Sequence, residues 1–362
     1  MKGKIVVMTK PGELEYQVYD VPDPDPGSIV AKILRSNVCG SELHIWRGEH
    51  PVLKRAALGH EMLGAVVKLG KGVKTDFAGA PLAVGDRIAA TYFQACRRCG
   101  PCQHGDFNLC EHAYQLWTSP PEQAPHFTAT FATHYYIHQN QYVYRVPDNV
   151  PDAVAAGANC ALSQVYYGLE DRARLQSGET VVIQGAGGLG LYATAIAKDK
   201  GARVIIIDAV AARLEEARRF GADELIDFKT FPAAEARLKR VNELTGGGAD
   251  VVLEVAGVVD AFAEGIQMVR PGGRYVGVGI VSVGKTTTFD PGWLTRRGIT
   301  ILPTIRYQPW YLGKALAFLS RTMDRFPYAS MMDRQFRLDQ VKEALDKSAS
   351  REVIRASIVN TD

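Results

Sequence analysis

The stretch Thr180-Val181-Val182-Ile183-Gln184-Gly185-Ala186-Gly187-Gly188-Leu189-Gly190 decides the fold of this chain. A run of mostly β-branched residues leads into G-x-G-x-x-G, and Leu191 to Lys200 follows with small residues at Ala193, Ala195 and Ala197. The pattern predicts a strand, a tight turn and a helix. Gly185 permits the turn, Gly187 lets backbone N–H groups approach a pyrophosphate at the positive helix end, and Gly190 lets helix and strand close up. Alone, the glycine pattern is weak. The next apolar run, Val204 to Ile207, strengthens it by ending in Asp208, about 20 residues beyond the glycines, where a carboxylate accepts bonds from ribose hydroxyls. The competing role for Asp208 is a plain N-cap for the following helix.

The alternation then continues outward. A helix is expected over Ala211 to Phe220, a short strand at Leu225-Ile226, a helix near Ala233 to Leu244, and a buried strand from Asp250 to Val255. A helix around Asp260 to Val269, a turn at Pro271-Gly272-Gly273 and a strand from Arg274 to Gly279 complete the series. Apolar strands alternating with amphipathic segments mean βαβ units around a parallel sheet covered on both faces. The region 156–300 reads as a Rossmann nucleotide-binding domain, with Val255 and Gly279 at strand ends facing the cofactor.

The flanks read differently. Residues 1–155 hold short β-like runs (Val30 to Leu34, Gly64 to Val67, Arg87 to Ala90, Tyr135 to Ile137, Tyr142 to Tyr144) broken by Pro and Gly, an all-β module. The segment 301–362 adds a helix around Pro309 to Arg325, another over Leu338 to Lys347, and a strand from Val353 to Val359, whose partners must lie elsewhere.

Composition excludes whole classes of function. The chain has 362 residues, 46% of them hydrophobic and 22% charged, so it is globular and long enough for two or three domains. Its 42 Lys and Arg against 39 Asp and Glu leave a net charge of +3, scattered without basic blocks, which argues against nucleic acid as a partner. No apolar run reaches membrane-spanning length, and nothing near Ile5 to Met8 makes a signal-peptide core. A soluble, unexported, cytoplasmic protein with a small-molecule substrate is expected.

Four of the 6 cysteines, Cys96, Cys99, Cys102 and Cys110, follow the spacing C-x2-C-x2-C-x7-C. Thiolates two residues apart converge on one tetrahedral ion, and a reducing compartment favours zinc over disulfides. Gly100, Pro101 and Gly105 supply the turns, and His104 or His112 could replace one sulfur. The alternative is two local disulfides or buried thiols.

Taken in order, Cys39-Gly40-Ser41-Glu42-Leu43-His44, Gly59-His60-Glu61, Gly85-Asp86-Arg87, the four-cysteine lobe, Cys160, Gly185 to Gly190 with Asp208, Gly248-Ala249-Asp250 and Ile354-Arg355 resemble the zinc-dependent medium-chain alcohol dehydrogenases over essentially the whole chain. The resemblance implies a GroES-like β-rich catalytic domain built from both chain ends, a Rossmann domain, and an active site in the cleft between them. It implies a catalytic zinc on Cys39, His60 and Cys160, with Glu61 as an occasional ligand, a structural zinc on the four-cysteine lobe, and NAD as cofactor. Ser41 and His44 would relay the proton to solvent, and Arg355 would contact the pyrophosphate, with Arg213 the nearest basic residue following Asp208.

Three positions depart from the common pattern. Glu42 stands where many relatives have the Asp that supports the ligating histidine. Gln164 replaces a small hydroxyl residue, and Gly40 replaces an arginine found in some relatives. Trp46, Phe93 and Trp117 fall near positions that line the pocket in relatives, implying an uncharged, largely apolar alcohol. A homodimer or homotetramer joined through Rossmann sheet edges is implied as well. The competing functions are a metal-free enoyl or quinone reductase of the same superfamily and a non-catalytic nucleotide binder.

Overall fold

The computed structural model describes residues 1–50, 53–280, 283–332 and 334–360. They form two compact units, Met1–Ser163 with Gln308–Asp362, and Gln164–Tyr307. No helix among the described residues is long and apolar enough to cross a membrane.

The Gln164–Tyr307 unit is a parallel sheet of six strands in the order Glu224–Asp227, Arg203–Asp208, Thr180–Gln184, Ala249–Glu254, Val269–Gly277, Thr300–Pro303. The three central strands are buried along nearly their whole length, as strands covered on both faces must be. Helices Gly188–Asp199, Ala211–Arg219, Ala234–Thr245 and Asp260–Met268 connect them. From Thr180–Gln184 the chain first adds strands on one side and then crosses to Ala249–Glu254 on the other. That reversal opens a crevice at the carboxyl ends of the two strands, where open α/β sheets bind ligands.

Two features of this unit differ from expectation. Pro271-Gly272-Gly273 is not a turn between the helix and the strand that follows it, because the strand already begins at Val269 and runs through to Gly277. Its pairing jumps from Ala249 opposite Val269 to Val251 opposite Arg274, so the glycines lie in a bulge, with Gly272 at φ +70. The sheet also gains a sixth strand, Thr300–Pro303, preceded by the short helix Pro291–Arg297. That helix carries capping signals at both ends: Asp290 accepts from the Gly292 N–H, Pro291 sits in the first turn, and Gly298 closes it at φ +60.

The other unit is all-β at its centre. Its larger sheet runs Arg334–Arg337, Ala356–Val359, Ile29–Asn37, Leu63–Leu69, Arg87–Ala90, Val143–Arg145, with His134–Ile137 also paired to Ile29–Asn37. The partner of the C-terminal strand is thus found: Ala356–Val359 lies antiparallel to Ile29–Asn37, with Ser357 opposite Asn37. Helix Val341–Ala349 buries Val341, Ala344 and Leu345 against Ile45, Trp46 and Ile358. An N-terminal hairpin, Lys2–Lys10 with Glu13–Asp20, was not expected; it turns at Pro11-Gly12, where Gly12 has φ +82.

Candidate active site

Three local structures bring one cluster together. Cys39 is the N-cap of helix Gly40–Trp46. His60 and Glu61 follow Gly59, whose φ of +93 and close approach to the backbone of Phe131 leave no room for a side chain. Cys160 lies in a π-helical segment, Ala158–Leu162, a widened turn of the kind that recurs at functional sites. Its neighbour Asn159 donates to the carbonyls of His60 and Ala90, both at 2.9 Å, which fixes that turn against His60.

The ligand atoms of Cys39, His60, Glu61 and Cys160 all lie within 4.8 Å of one another, and all four residues are buried. Cys39 Sγ is 3.9 Å from Cys160 Sγ, and His60 Nε2 is 3.2 Å from Cys160 Sγ. Two Zn–S bonds of about 2.3 Å at the tetrahedral angle span about 3.8 Å, whereas a disulfide needs about 2.0 Å. The donor set fits a zinc ion, and all six cysteines are free.

The groups around the cluster are charged and paired. Glu42 accepts the Cys39 backbone N–H through Oε2 at 2.7 Å and meets His60 Nδ1 through Oε1. The longer side chain at this departing position therefore still supports the histidine. Burial pulls the His60 imidazole down, but Glu42 and Cys39 outweigh it and its pKa rises well above the ordinary 6.5. The Cys160 contact, aided by His60, holds the Cys39 thiol well below its usual range, while the same contact and burial push Cys160 up. Glu61 is raised to about 7 by burial, against the pull of Arg355. Arg355 Nη2 pairs with Glu61 Oε1, and Asn37 donates to Glu61 Oε2 at 3.2 Å. Ser357 donates to Asn37 at 2.8 Å and accepts from Arg35 at 3.0 Å, so the last strand helps hold Glu61.

An aromatic wall stands on His60. Tyr92 and Trp117 have ring centroids 4.9 and 5.6 Å from the imidazole, and Tyr114 packs edge-on to Trp117 at 5.4 Å. Of the three aromatics singled out in the sequence, Trp117 alone packs against His60. Phe93 is buried edge-on behind Tyr92 at 5.2 Å, and Trp46 belongs to the core beneath helix Val341–Ala349, bonded to Asp346. Tyr92 was missed because its tandem with Phe93 offers two candidates, and both lie beyond strand Arg87–Ala90, where no period says which faces the site. Ser41 and His44 occupy helix Gly40–Trp46 three residues apart, hence on one face. His44 Nδ1 is bonded to Glu49 Oε2 at 2.5 Å.

The four-cysteine lobe forms a second cluster, with sulfurs within 4.8 Å of one another and Cys99 Sγ 3.9 Å from Cys110 Sγ. Backbone N–H groups of Arg98 and Cys99 point at Cys96 Sγ at 3.5 and 3.3 Å, and that of Cys96 at Cys110 Sγ at 3.3 Å. Burial raises the Cys96 thiol, but the Arg98 and Cys99 N–H groups, with the Cys99 and Cys110 thiols, bring it down to about 6. His104 and His112 are not members of the cluster.

In the other unit, Gly185 has φ +109, Gly187 is the N-cap of helix Gly188–Asp199, and a Cβ on Gly190 would collide with the Gly185 carbonyl. Asp208 is not the cap of the next helix; that position is Val210. Its carboxylate accepts the N–H of Ala186 at 2.7 Å and of Val210 at 2.8 Å, one per oxygen, which leaves a lone pair on each for a further donor. Arg213 lies half-buried on helix Ala211–Arg219. The strand ends at Val255 and Gly279 are organised by a buried carboxylate that sequence reading overlooked. Glu254 accepts from Gly257 at 2.6 Å, Gly279 at 3.0 Å and Ile280 at 3.1 Å, and burial raises its pKa.

Known proteins match this architecture. Residues 25–148 match the alcohol dehydrogenase GroES-like domain and residues 188–321 the zinc-binding dehydrogenase domain. The chain is 32% identical to 5-exo-hydroxycamphor dehydrogenase of Pseudomonas putida, covering 99% of both proteins. It is 30% identical to sorbitol dehydrogenase of Halalkalibacterium halodurans, over 99% of this chain and 100% of that one. Among solved structures, an alcohol dehydrogenase of Thermotoga maritima superposes with a TM-score of 0.91 at 29% identity, covering 99% of each chain. Full-length agreement in sequence and in fold leaves one family, and the chain belongs to the zinc-dependent medium-chain alcohol dehydrogenases, oxidoreductases acting on alcohols.

Proposed function

We propose that this enzyme interconverts an uncharged, largely apolar alcohol with its aldehyde or ketone, using NAD and two zinc ions per chain. The observation that carries the reading is the packing of Tyr92 and Trp117 on His60, which sets apolar surface beside the buried donor set. Arg355, a cation at that cluster, is engaged by Glu61 and does not offer itself to a substrate carboxylate or phosphate.

Cys39, His60 and Cys160, with Glu61 as an occasional fourth, would hold the catalytic ion, and Cys96, Cys99, Cys102 and Cys110 the structural one. Bound in the first set, zinc would supply the Lewis acidity that polarises an alcohol oxygen and lowers its pKa, and a bound nicotinamide would supply the hydride acceptor. The rest falls to the chain. Glu42 keeps the His60 ring in one tautomer, Ser41 receives the alcohol proton, and His44 passes it on towards solvent. Backbone N–H groups from Gly185 to Gly190 cradle the pyrophosphate, Asp208 takes the ribose hydroxyls, and Arg213, Val255 and Gly279 flank the nucleotide. Arg355 would reach the pyrophosphate only while also serving Glu61.

A homodimer or homotetramer is the proposed assembly. Strand Thr300–Pro303 ends the sheet order with one neighbour, and Trp293 and Ile305 are exposed near it in sequence. Six free cysteines suit a reducing cytoplasm. The test combines zinc analysis of freshly purified enzyme, its mass in solution, and a panel of primary, secondary, cyclic and aromatic alcohols scored by NADH formation. Two zinc ions, an even-numbered assembly and a preference for bulky uncharged alcohols are expected. Preference for a phosphorylated or carboxylated alcohol, or fewer than two zinc ions, would overturn the reading.

A further inference from the structure

We propose that Glu49 is a positioning residue for His44: its carboxylate accepts the Nδ1 proton and so leaves Nε2 as the atom that takes the proton released by the alcohol. The inference rests on the reading of His44 as the last member of the proton relay.

The geometry begins in the backbone. Helix Gly40–Trp46 ends with Arg47 as its C-cap and Gly48 at φ +74. The Gly48 N–H bonds to the Ile45 carbonyl and the Glu49 N–H to the His44 carbonyl, both at 2.9 Å. This pair of bonds is the Schellman closure, in which the chain folds back over the last turn. A side chain on Gly48 would strike Pro11, so the close approach as well as the dihedral calls for glycine. The closure ties the Glu49 backbone to His44 itself, and the carboxylate needs only its own length to reach the ring, where Oε2 lies 2.5 Å from Nδ1.

Charged and titratable neighbours among the described residues have partners of their own. Lys54 bonds the Gly48 carbonyl at 2.5 Å, Arg47 donates to Ala349 O at 3.2 Å, and His50 accepts the Leu53 N–H at 2.9 Å. On the helix packed against this one, Lys342 and Asp346 pair at 2.7 Å and serve Trp46, the lysine over its ring at 5.7 Å and the aspartate on its Nε1 at 3.2 Å.

A carboxylate accepts only, so the hydrogen between Glu49 and Nδ1 must sit on the imidazole. A neutral imidazole with its proton on Nδ1 has its lone pair on Nε2. When Nε2 takes a proton the ring becomes an imidazolium beside a fixed negative charge, and release of the Nε2 proton to water returns it to the start with no net change. His44 and Glu49 are 28% and 34% exposed, which puts the last transfer within reach of solvent.

The test is a double-mutant cycle in the intact enzyme, read as kcat for alcohol oxidation where hydride transfer limits the rate. Glu49→Ala is expected to slow oxidation by about tenfold at neutral pH, the scale of one charge-assisted bond, with less loss at high pH where hydroxide takes the proton. Glu49→Gln, whose Oε1 still accepts from Nδ1, should recover part of the rate. In a His44→Ala background, Glu49→Ala should cost nothing further, whereas a merely structural role would lower the rate in both backgrounds and the Tm with it. If His44→Ala slows oxidation and Glu49→Ala does not, or if the two losses multiply, the proposal fails and the relay stands. If His44→Ala itself changes neither rate nor pH profile, the relay and this inference fall together.

Discussion

The carboxylate of Glu42 faces Nδ1 of His60 while its second oxygen holds the backbone N–H of Cys39. One side chain thereby aligns two residues of the candidate metal cluster, the ring of one and the helix start of the other. Glu42→Gln keeps the volume and removes the charge, so zinc affinity at this cluster should fall by about 10- to 100-fold. Chelator competition that monitors both ions would see one released early and the other retained. Equal retention in the variant and the parent would mean that His60 is oriented by something else.

Cys102→Ser and Cys160→Ser should fail differently. The first opens a closed shell, so the loss is of folding stability or assembly, read as a lower Tm and one fewer zinc ion. The second should abolish turnover with little change in Tm. A Cys102→Ser enzyme that melts with the parent would remove the structural role of the lobe.

Cofactor choice is expected to rest on Asp208. A 2′-phosphate would meet a carboxylate already fixed by the Ala186 and Val210 N–H groups, and Ala209 and Val210 beside it carry no charge. Like-charge juxtaposition of this kind costs several kcal/mol, so kcat/KM should favour NAD over NADP by about 100-fold or more. Asp208→Ser should narrow that ratio, and equal use of both cofactors by the parent would place the selectivity elsewhere.

Glu122 offers a pH-dependent prediction of small size. Arg55 and Gln17 bond its carboxylate and hold it at about 2, below the ordinary 4.5. Stabilisation from a depressed carboxylate is present above the unfolded value and is lost as pH falls through the folded one. The Arg55 and Glu122 side chains are 42% and 45% exposed, so solvent screening limits the pair to under about 1 kcal/mol. Glu122→Gln should lower Tm by no more than about 2–4 °C at neutral pH, and the difference should shrink towards about pH 3. A larger or pH-independent difference would point to packing rather than charge.

The nucleotide half was legible because its signals are local. The glycine turn, the strand ending in Asp208 and the helix periods lie within short windows, and the structure places them nearly to the residue. Strand Thr300–Pro303 was not legible, since four residues ending in proline carry too little alternation to stand out; only the neighbouring strand specifies it. The caps at Asp290, Pro291 and Gly298 were readable and were passed over for want of an apolar face between them. In the other unit the candidate ligands were named by resemblance, but the assignment of each carboxylate to its partner was not. Glu42 on His60, Glu61 on Arg355 and Glu49 on His44 are contacts of long side chains across turns and strands, and no sequence period encodes them.

The antiparallel pairing of Ala356–Val359 with Ile29–Asn37 sets an order of events in the cell. At typical elongation rates the early strand waits on the order of tens of seconds for a mate made about 320 residues later. Gln164–Tyr307 is contiguous and can close while synthesis continues. Over that interval the strand keeps an open hydrogen-bonding edge, Asn37 lacks Ser357 and Glu61 lacks Arg355. The Gln164–Tyr307 unit is therefore the first that can mature, and the unit holding the Cys39, His60 and Cys160 cluster is completed only once Ala356–Val359 has been made.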